Sequence, residues 1–245
     1  MRKKIPKIDV FGFEPGRCLA GKYEIESLLG RGWEGEVYKV IELKTGITRA
    51  AKVFYPQRNA HDRAVKYYAR KLHHLRQCPI VIQYHHSESI QFRRHAITCL
   101  ISEFVEGDLL SDLVARQRGH RLPPFEALHL LHALAAGVEG IHAVREYHSD
   151  IHTDNVIVRR RGIHFDLRLV DFYNWGTPTA AKIREDVIMI IHLFHEMLGG
   201  RRHYAKMPPE IKAICCGLRR DLISRKFPTA GRLRAHLESF SWSES

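Results

Sequence analysis

The sequence predicts an α+β fold, β-rich in its first part and mainly helical in its second. Three observations carry this. Short apolar runs broken by glycine turns fill residues 23–55. Behind Pro123-Pro124, apolar side chains recur at helical spacing at 127, 128, 130, 131, 134, 135, 138 and 141. Between that helix and the later ones lie a polar loop and a hairpin pattern, residues 148–172. At 245 residues the chain can bury a full core, as one bilobal domain or two small ones.

Taken in order, residues 1–21 carry Pro6, Pro15 and three glycines with little periodicity, which reads as a loosely ordered arm. Residues 23–29 alternate weakly and predict a strand. A glycine hairpin, Gly30-Arg31-Gly32-Trp33-Glu34-Gly35, leads into a second strand from Val37 to Leu43. Such a hairpin lets backbone N–H groups approach a phosphate without Cβ interference. After the Thr45-Gly46 turn a third strand, 47–55, contains Ala50-Ala51-Lys52-Val53-Phe54. A lysine inside an apolar strand is costly to bury without an anion; on an edge strand it can simply face water. Asn59-Ala60-His61-Asp62 has the look of a capping box, opening a helix to about Arg76. Ile80-Val81-Ile82 and Ile97 to Phe104 predict two more strands.

In the second part the helix from Pro123 to about Val144 is broadly apolar and therefore buried. Then come His148-Ser149-Asp150-Ile151-His152-Thr153-Asp154-Asn155 and two apolar runs, 156–158 and 167–170, around a basic turn at Arg159–Gly162. The hairpin would return Asp171 towards Asp150 and Asn155. Two carboxylates and an amide make a hard, oxygen-only site that suits Mg²⁺. By itself the loop is equally consistent with a surface turn rich in Asp and Asn. Helices are predicted over 186–199, from Pro208-Pro209-Glu210, and at 227–237.

Composition is that of an ordinary globular protein. No apolar run reaches the ~18 residues of a membrane span, and the basic start Met1-Arg2-Lys3-Lys4 is not followed by the apolar stretch of a signal peptide. Five scattered cysteines without C-x-x-C spacing predict free thiols in a reducing, cytoplasmic setting. The net charge of +12 favours solubility and an acidic partner. The basic clusters are dispersed and no groove with interleaved aromatics is evident, which argues against nucleic acid. His148 and His152 have zinc-ligand spacing but lack an evident third ligand, so no metal is assigned to them.

Together, H-x-D-x-x-x-x-N followed by D-F, G-x-G-x-x-G running into a strand, and the strand lysine 22 residues beyond Gly30 resemble the protein kinase-like superfamily. The resemblance spans about residues 22–240 and implies a bilobal fold: an N-terminal arm (1–21), an N-lobe (22–106) with an antiparallel sheet and one helix, and a reduced, mainly helical C-lobe (107–245). It implies ATP and Mg²⁺ as cofactors. Gly30, Gly32 and Gly35 would cover the phosphates and Lys52 would contact them. Val37, Ala50 and Ile157 would line the adenine pocket, with backbone contacts from Glu103 and Val105, Ser102 at the back and Asp108 near the ribose. Asn155 and Asp171 would hold the metal, and Asp150 would be the base or orienter of the attacking hydroxyl.

Five departures qualify the expectation. The predicted helix 59–76 offers Tyr68 where the family has a glutamate for the lysine, and its one acid, Asp62, is assigned to capping, so the partner of Lys52 stays open. Ser149 replaces the arginine of H-R-D, which normally receives an activation-loop phosphate. Tyr173 replaces the glycine of D-F-G, and only fourteen residues separate Asp171 from Asp186, with no A-P-E motif. His152 gives the loop a D-x-H pattern that resembles aminoglycoside kinases, whereas residues 227–237 resemble the closing helices of protein kinases. The leading expectation is an always-on, atypical serine/threonine protein kinase. The alternatives are a small-molecule phosphotransferase and a nucleotide-binding pseudokinase. The acceptor is a protein or small-molecule hydroxyl, with no membrane span involved.

Overall fold

The computed structural model describes residues 5–162, 164–172 and 176–241. Its contacts divide the chain into one unit of Met1–Arg76 with Ile82–Val105 and another of Gln77–Val81 with Glu106–Ser245.

The first unit is built on a six-stranded antiparallel sheet: β1 (Cys18–Leu19), β2 (Tyr23–Arg31), β3 (Gly35–Glu42), β4 (Thr48–Phe54), β5 (Tyr84–Phe92) and β6 (His95–Glu103), in the order β1-β2-β3-β4-β6-β5. Period-two alternation buries Tyr38 and Val40 of β3, Ala51 and Val53 of β4, and Cys99 and Ile101 of β6 in one core. The helix α1 (Arg63–His74) buries Ala64, Val65, Tyr68 and Leu72.

Three expectations need correction here. Residues 8–19 are not a loose arm: Ile8, Phe11, Phe13 and Leu19 are buried in the sheet's core. Phe11 lies 5.3 Å, between ring centroids, from each of Phe13, Tyr55 and Phe92, and this aromatic area replaces the periodicity that would have advertised order. Ile80–Ile82 is not a strand; Val81 makes one isolated parallel bridge with Leu169. The strand is β5, whose polar sequence buries only Ile90 and Phe92. Finally, Asp62 does not cap α1. The Val65 N–H donates to Asn59 Oδ1 at 3.2 Å, while Asp62 Oδ1 accepts from Asn59 Nδ2 and from Thr98 Oγ1 at 2.5 Å, so the acid ties the helix start to β6.

The second unit holds a small antiparallel sheet of β7 (Asp108–Leu109), β8 (Val156–Arg161) and β9 (His164–Leu169). Its helices are α2 (Leu110–Arg116), α3 (Pro124–Ala143), α4 (Ala180–Met197), α5 (Arg201–Tyr204), α6 (Pro209–Cys215), α7 (Arg220–Lys226) and α8 (Ala230–Ser239). The eight apolar positions predicted for α3 are its buried residues. This helix packs against α4 and α8. A Cβ at Gly137 would lie 2.3 Å from Ile80, so glycine lets the 77–81 segment press onto α3. Thr179 and Thr229 cap α4 and α8 by accepting the Lys182 and Arg232 N–H groups. The β8–β9 hairpin is tighter than predicted: Arg159, Arg160 and Arg161 are strand residues, Arg161 pairs with His164, and Gly162 turns the chain at φ 62°. Among the described residues no helix is long and apolar enough to cross a membrane.

Candidate active site

In the first unit the glycine hairpin joins β2 to β3, with Gly30 opposite Val37 and Arg31 opposite Glu36. Its tip is closed by the Gly32 N–H donating to Gly35 O at 2.9 Å. Gly35 has no alternative, since a Cβ there would sit 2.0 Å from Val53 O. A Cβ at Gly30 or Gly32 would meet nothing within 4 Å, so packing does not require those two. Val37 pairs with Lys52 across β3–β4, and Ala50 pairs with Ser102 across β4–β6.

The Lys52 side chain is about nine-tenths buried, and its Nζ lies 2.8 Å from Glu34 Oε2 at the hairpin tip. The ammonium also sits 4.7 Å from the centre of the Tyr68 ring and 5.5 Å from that of Phe54. Glu34 is thus an anionic partner for Lys52, which the sequence leaves open, and Tyr68 of α1 offers a π face where the resemblance implies a carboxylate. Glu103 ends β6, its N–H donating to Gln83 O and its Oε1 accepting from the Gln83 N–H. Ser102 Oγ donates to Glu103 O at 3.3 Å, and Val105 follows at the end of the unit.

In the second unit the loop 148–155 is fixed from below by Asp186 of α4. Its two oxygens accept the His148 N–H (2.8 Å) and the Ser149 N–H (2.6 Å), and His142 Nε2 lies 3.0 Å away. Asp186 is fully buried, so these donors are what make its charge tolerable there. His148 is equally buried. Its Nε2 must donate to Val170 O (3.0 Å), because a carbonyl can only accept, and Nδ1 then accepts the Asp150 N–H (3.2 Å). The His148 ring lies 4.3 Å from that of Phe172.

Asn155 spends its Nδ2 on Asp150 O (2.9 Å), Asp150 Oδ2 (3.3 Å) and His152 Nε2 (2.9 Å). Both Asp150 atoms are acceptors, which settles the amide's orientation. Among the described residues nothing donates to Asn155 Oδ1, so a hard acceptor is left over, as a cation ligand requires. The Val170 N–H donates to Asn155 O at 3.1 Å, and Asp171 comes next, at φ 60°. A left-handed aspartate at this junction is a strained backbone of the kind that sites retain. Asp150 is half exposed. His152 cannot accept through both nitrogens, so its contact with the Asp154 N–H (3.3 Å) competes with that from Asn155. Ile157 lies in β8 opposite Leu109 and Arg168. A cavity of ≈ 250 Å³ beside the loop is lined in part by Ile151, His152, Glu185, Met189 and Arg220. Tyr173 lies outside the described residues.

The protein kinase domain family matches residues 23–190. The chain belongs to this family. It is 31% identical over 189 residues to a protein of Oryza sativa subsp. japonica named as a cyclin-dependent kinase F-2, covering 75% of this chain and 57% of that one. It is 32% identical over 159 residues to the serine/threonine-protein kinase pkn2 of Myxococcus xanthus, covering 63% and 18%. The chain thus spans about half the length of the first relative and under a fifth of the second. In fold it resembles the crystal structure of the Mycobacterium tuberculosis PknI kinase domain, with a TM-score of 0.65, 20% identity and coverage of 92% of this chain and 98% of that one.

Within this kinase domain, two contributors escaped the sequence reading of the site. Asp186 was seen only as the start of a helix; the signal was an acid beginning an otherwise apolar run, Val187–Ile191. Glu34 holds no motif position of its own; its only signal is an acid standing directly before the third glycine of the hairpin.

Proposed function

We propose that the chain is an ATP- and Mg²⁺-dependent phosphotransferase that moves the γ-phosphoryl group to a serine or threonine hydroxyl of a protein. The observation that supports this most is the loop in which Asp150 and Asn155 touch through one amide while Val170, next to Asp171, is clamped to Asn155. The donor set is oxygen only, which fits Mg²⁺. Asn155 Oδ1 and the Asp171 carboxylate would hold the ion, which when bound neutralises charge on the transferred phosphoryl. Asp150 would orient the acceptor hydroxyl and take its proton, having an exposed carboxylate and a backbone fixed through His148. Gly30, Gly32 and Gly35 would expose backbone N–H groups to the phosphates, and Lys52 would bind their oxygens. Ala50, Val37 and Ile157 would pack on the adenine, with Glu103 and Val105 offering backbone groups. This is catalysis by positioning and charge neutralisation.

The short span from Asp171 to Asp186 favours a second reading, transfer to a small molecule, because little chain is left to seat a peptide. Transfer from ATP labelled at the γ-phosphate, run against protein and small-molecule hydroxyl panels, separates the two. Asp150→Ala is expected to lower turnover about 10²-fold or more, and Asp171→Ala to lower turnover and raise the Mg²⁺ concentration needed for half-maximal transfer. Nucleotide binding without transfer to any acceptor in the wild type would overturn both readings.

A further inference from the structure

We infer that Glu34 is the positioning residue for Lys52, a carboxylate supplied by the glycine hairpin in place of one from the helix. The inference rests on the ATP-binding reading above. The helix α1 brings Arg63, Lys66, Arg70 and Lys71 and no acid, so its field repels an ammonium. Yet the Lys52 side chain is only 10% exposed, and a cation at that depth needs an anion in contact. Glu34, itself 9% exposed, meets it at 2.8 Å.

The pair is held by backbone on both sides. Glu34 O accepts the Tyr55 N–H at 2.8 Å, just beyond β4, and Gly35 lies so close to Val53 that no other residue fits. One residue further, Glu36 is fully buried and hydrogen-bonded. The hairpin tip is therefore fastened to the strand that carries Lys52, and Glu34 has little freedom to swing away. Tyr68 closes the other side of the ammonium with its ring. Lysine position is thus tied to the hairpin proposed to cover the phosphates, and a shift of α1 would leave the ion pair intact.

The test compares nucleotide binding with turnover. Affinities for ATP and adenosine are measured in the Asp150→Asn background, where transfer is suppressed, and kcat/KM in the otherwise wild-type chain. Glu34→Gln is expected to weaken ATP about tenfold or more with adenosine unchanged, and to lower kcat/KM about 10²-fold. Glu34→Asp should fall between, and adding Tyr68→Glu to Glu34→Gln should recover part of the loss. ATP binding that is unchanged or tighter in Glu34→Gln would overturn the inference, since Glu34 would then be idle or competing with phosphate for Lys52. Equal loss of ATP and adenosine, with no recovery from Tyr68→Glu, would also overturn it by showing a purely structural role. If Lys52→Met binds ATP as the wild type does, the ATP-binding reading fails first.

Discussion

Glu36 shows how a buried charge is made tolerable. Its oxygens accept the N–H groups of Phe11 and Gly12, Arg31 Nε and the hydroxyls of Tyr38 and Tyr55, five donors in all. Burial pushes the carboxyl up, but the Tyr38, Phe11 and Gly12 hydrogen bonds and the Arg31 charge outweigh it and hold the group below its usual range. Burial and the same carboxylate push Tyr55 up to about 12 and raise Tyr38. Because the folded-state value is depressed, the stabilisation is complete above the unfolded value of roughly 4.3 and is lost as pH falls through the folded one. Glu36→Gln should cost about 3 kcal/mol at neutral pH and flatten the acid limb of a denaturation series, as read from urea midpoints against pH. Asp150, Asn155 and Lys52 stand out in the sequence because motif spacing marks them as candidates. Glu36 and Glu34 do not, because a buried acid is recognised by donors that arrive from distant parts of the chain.

At the level of elements, the start of the loop 148–155 is anchored to α4 through Asp186, while its end is tied to Val170. Asp186→Ala would remove the carboxylate that accepts the buried His148 N–H and the part-buried Ser149 N–H. It is expected to destabilise the chain by about 3–5 kcal/mol and to speed amide exchange at residues 148–150, measured by hydrogen–deuterium exchange. Turnover should fall with it even though Asp186 lies beneath the reacting groups. The helix α3 is legible because apolar residues recur at helical spacing from Ala127 to Ile141, about four turns. The β8–β9 hairpin is marked by its two apolar runs, but its turn is not, because arginines suit an exposed strand as well as a loop. In β5 the signal failed: an edge strand with two buried residues has almost no apolar alternation. Ile80–Ile82 has the composition of a strand, but Ile80 lies against Gly137 and accepts the Leu169 N–H, and Val81 makes only a single bridge to Leu169.

For the whole molecule the dominant property is charge, +12 before any histidine is protonated. An acidic acceptor should be steered to such a surface. Its kcat/KM is expected to fall between about 0.01 and 0.15 M ionic strength, as the Debye length shrinks from ~30 to ~8 Å. A neutral acceptor measured alongside should change little, and equal salt dependence for the two would refute the steering. The broad division of the chain, a β-rich first part and a mainly helical second, is readable because glycine turns and helical repeats mark it.

The family match begins at Tyr23, which invites trimming the gene to that residue. Such a fragment would lose the Phe11 and Gly12 N–H groups from a carboxylate shut away from water, and with Phe11 and Phe13 the aromatic lid over Tyr55 and Phe92. It would expose apolar rings and a partly unsatisfied carboxylate on the sheet, and insolubility of that recombinant product would say nothing about whether the intact chain transfers phosphate.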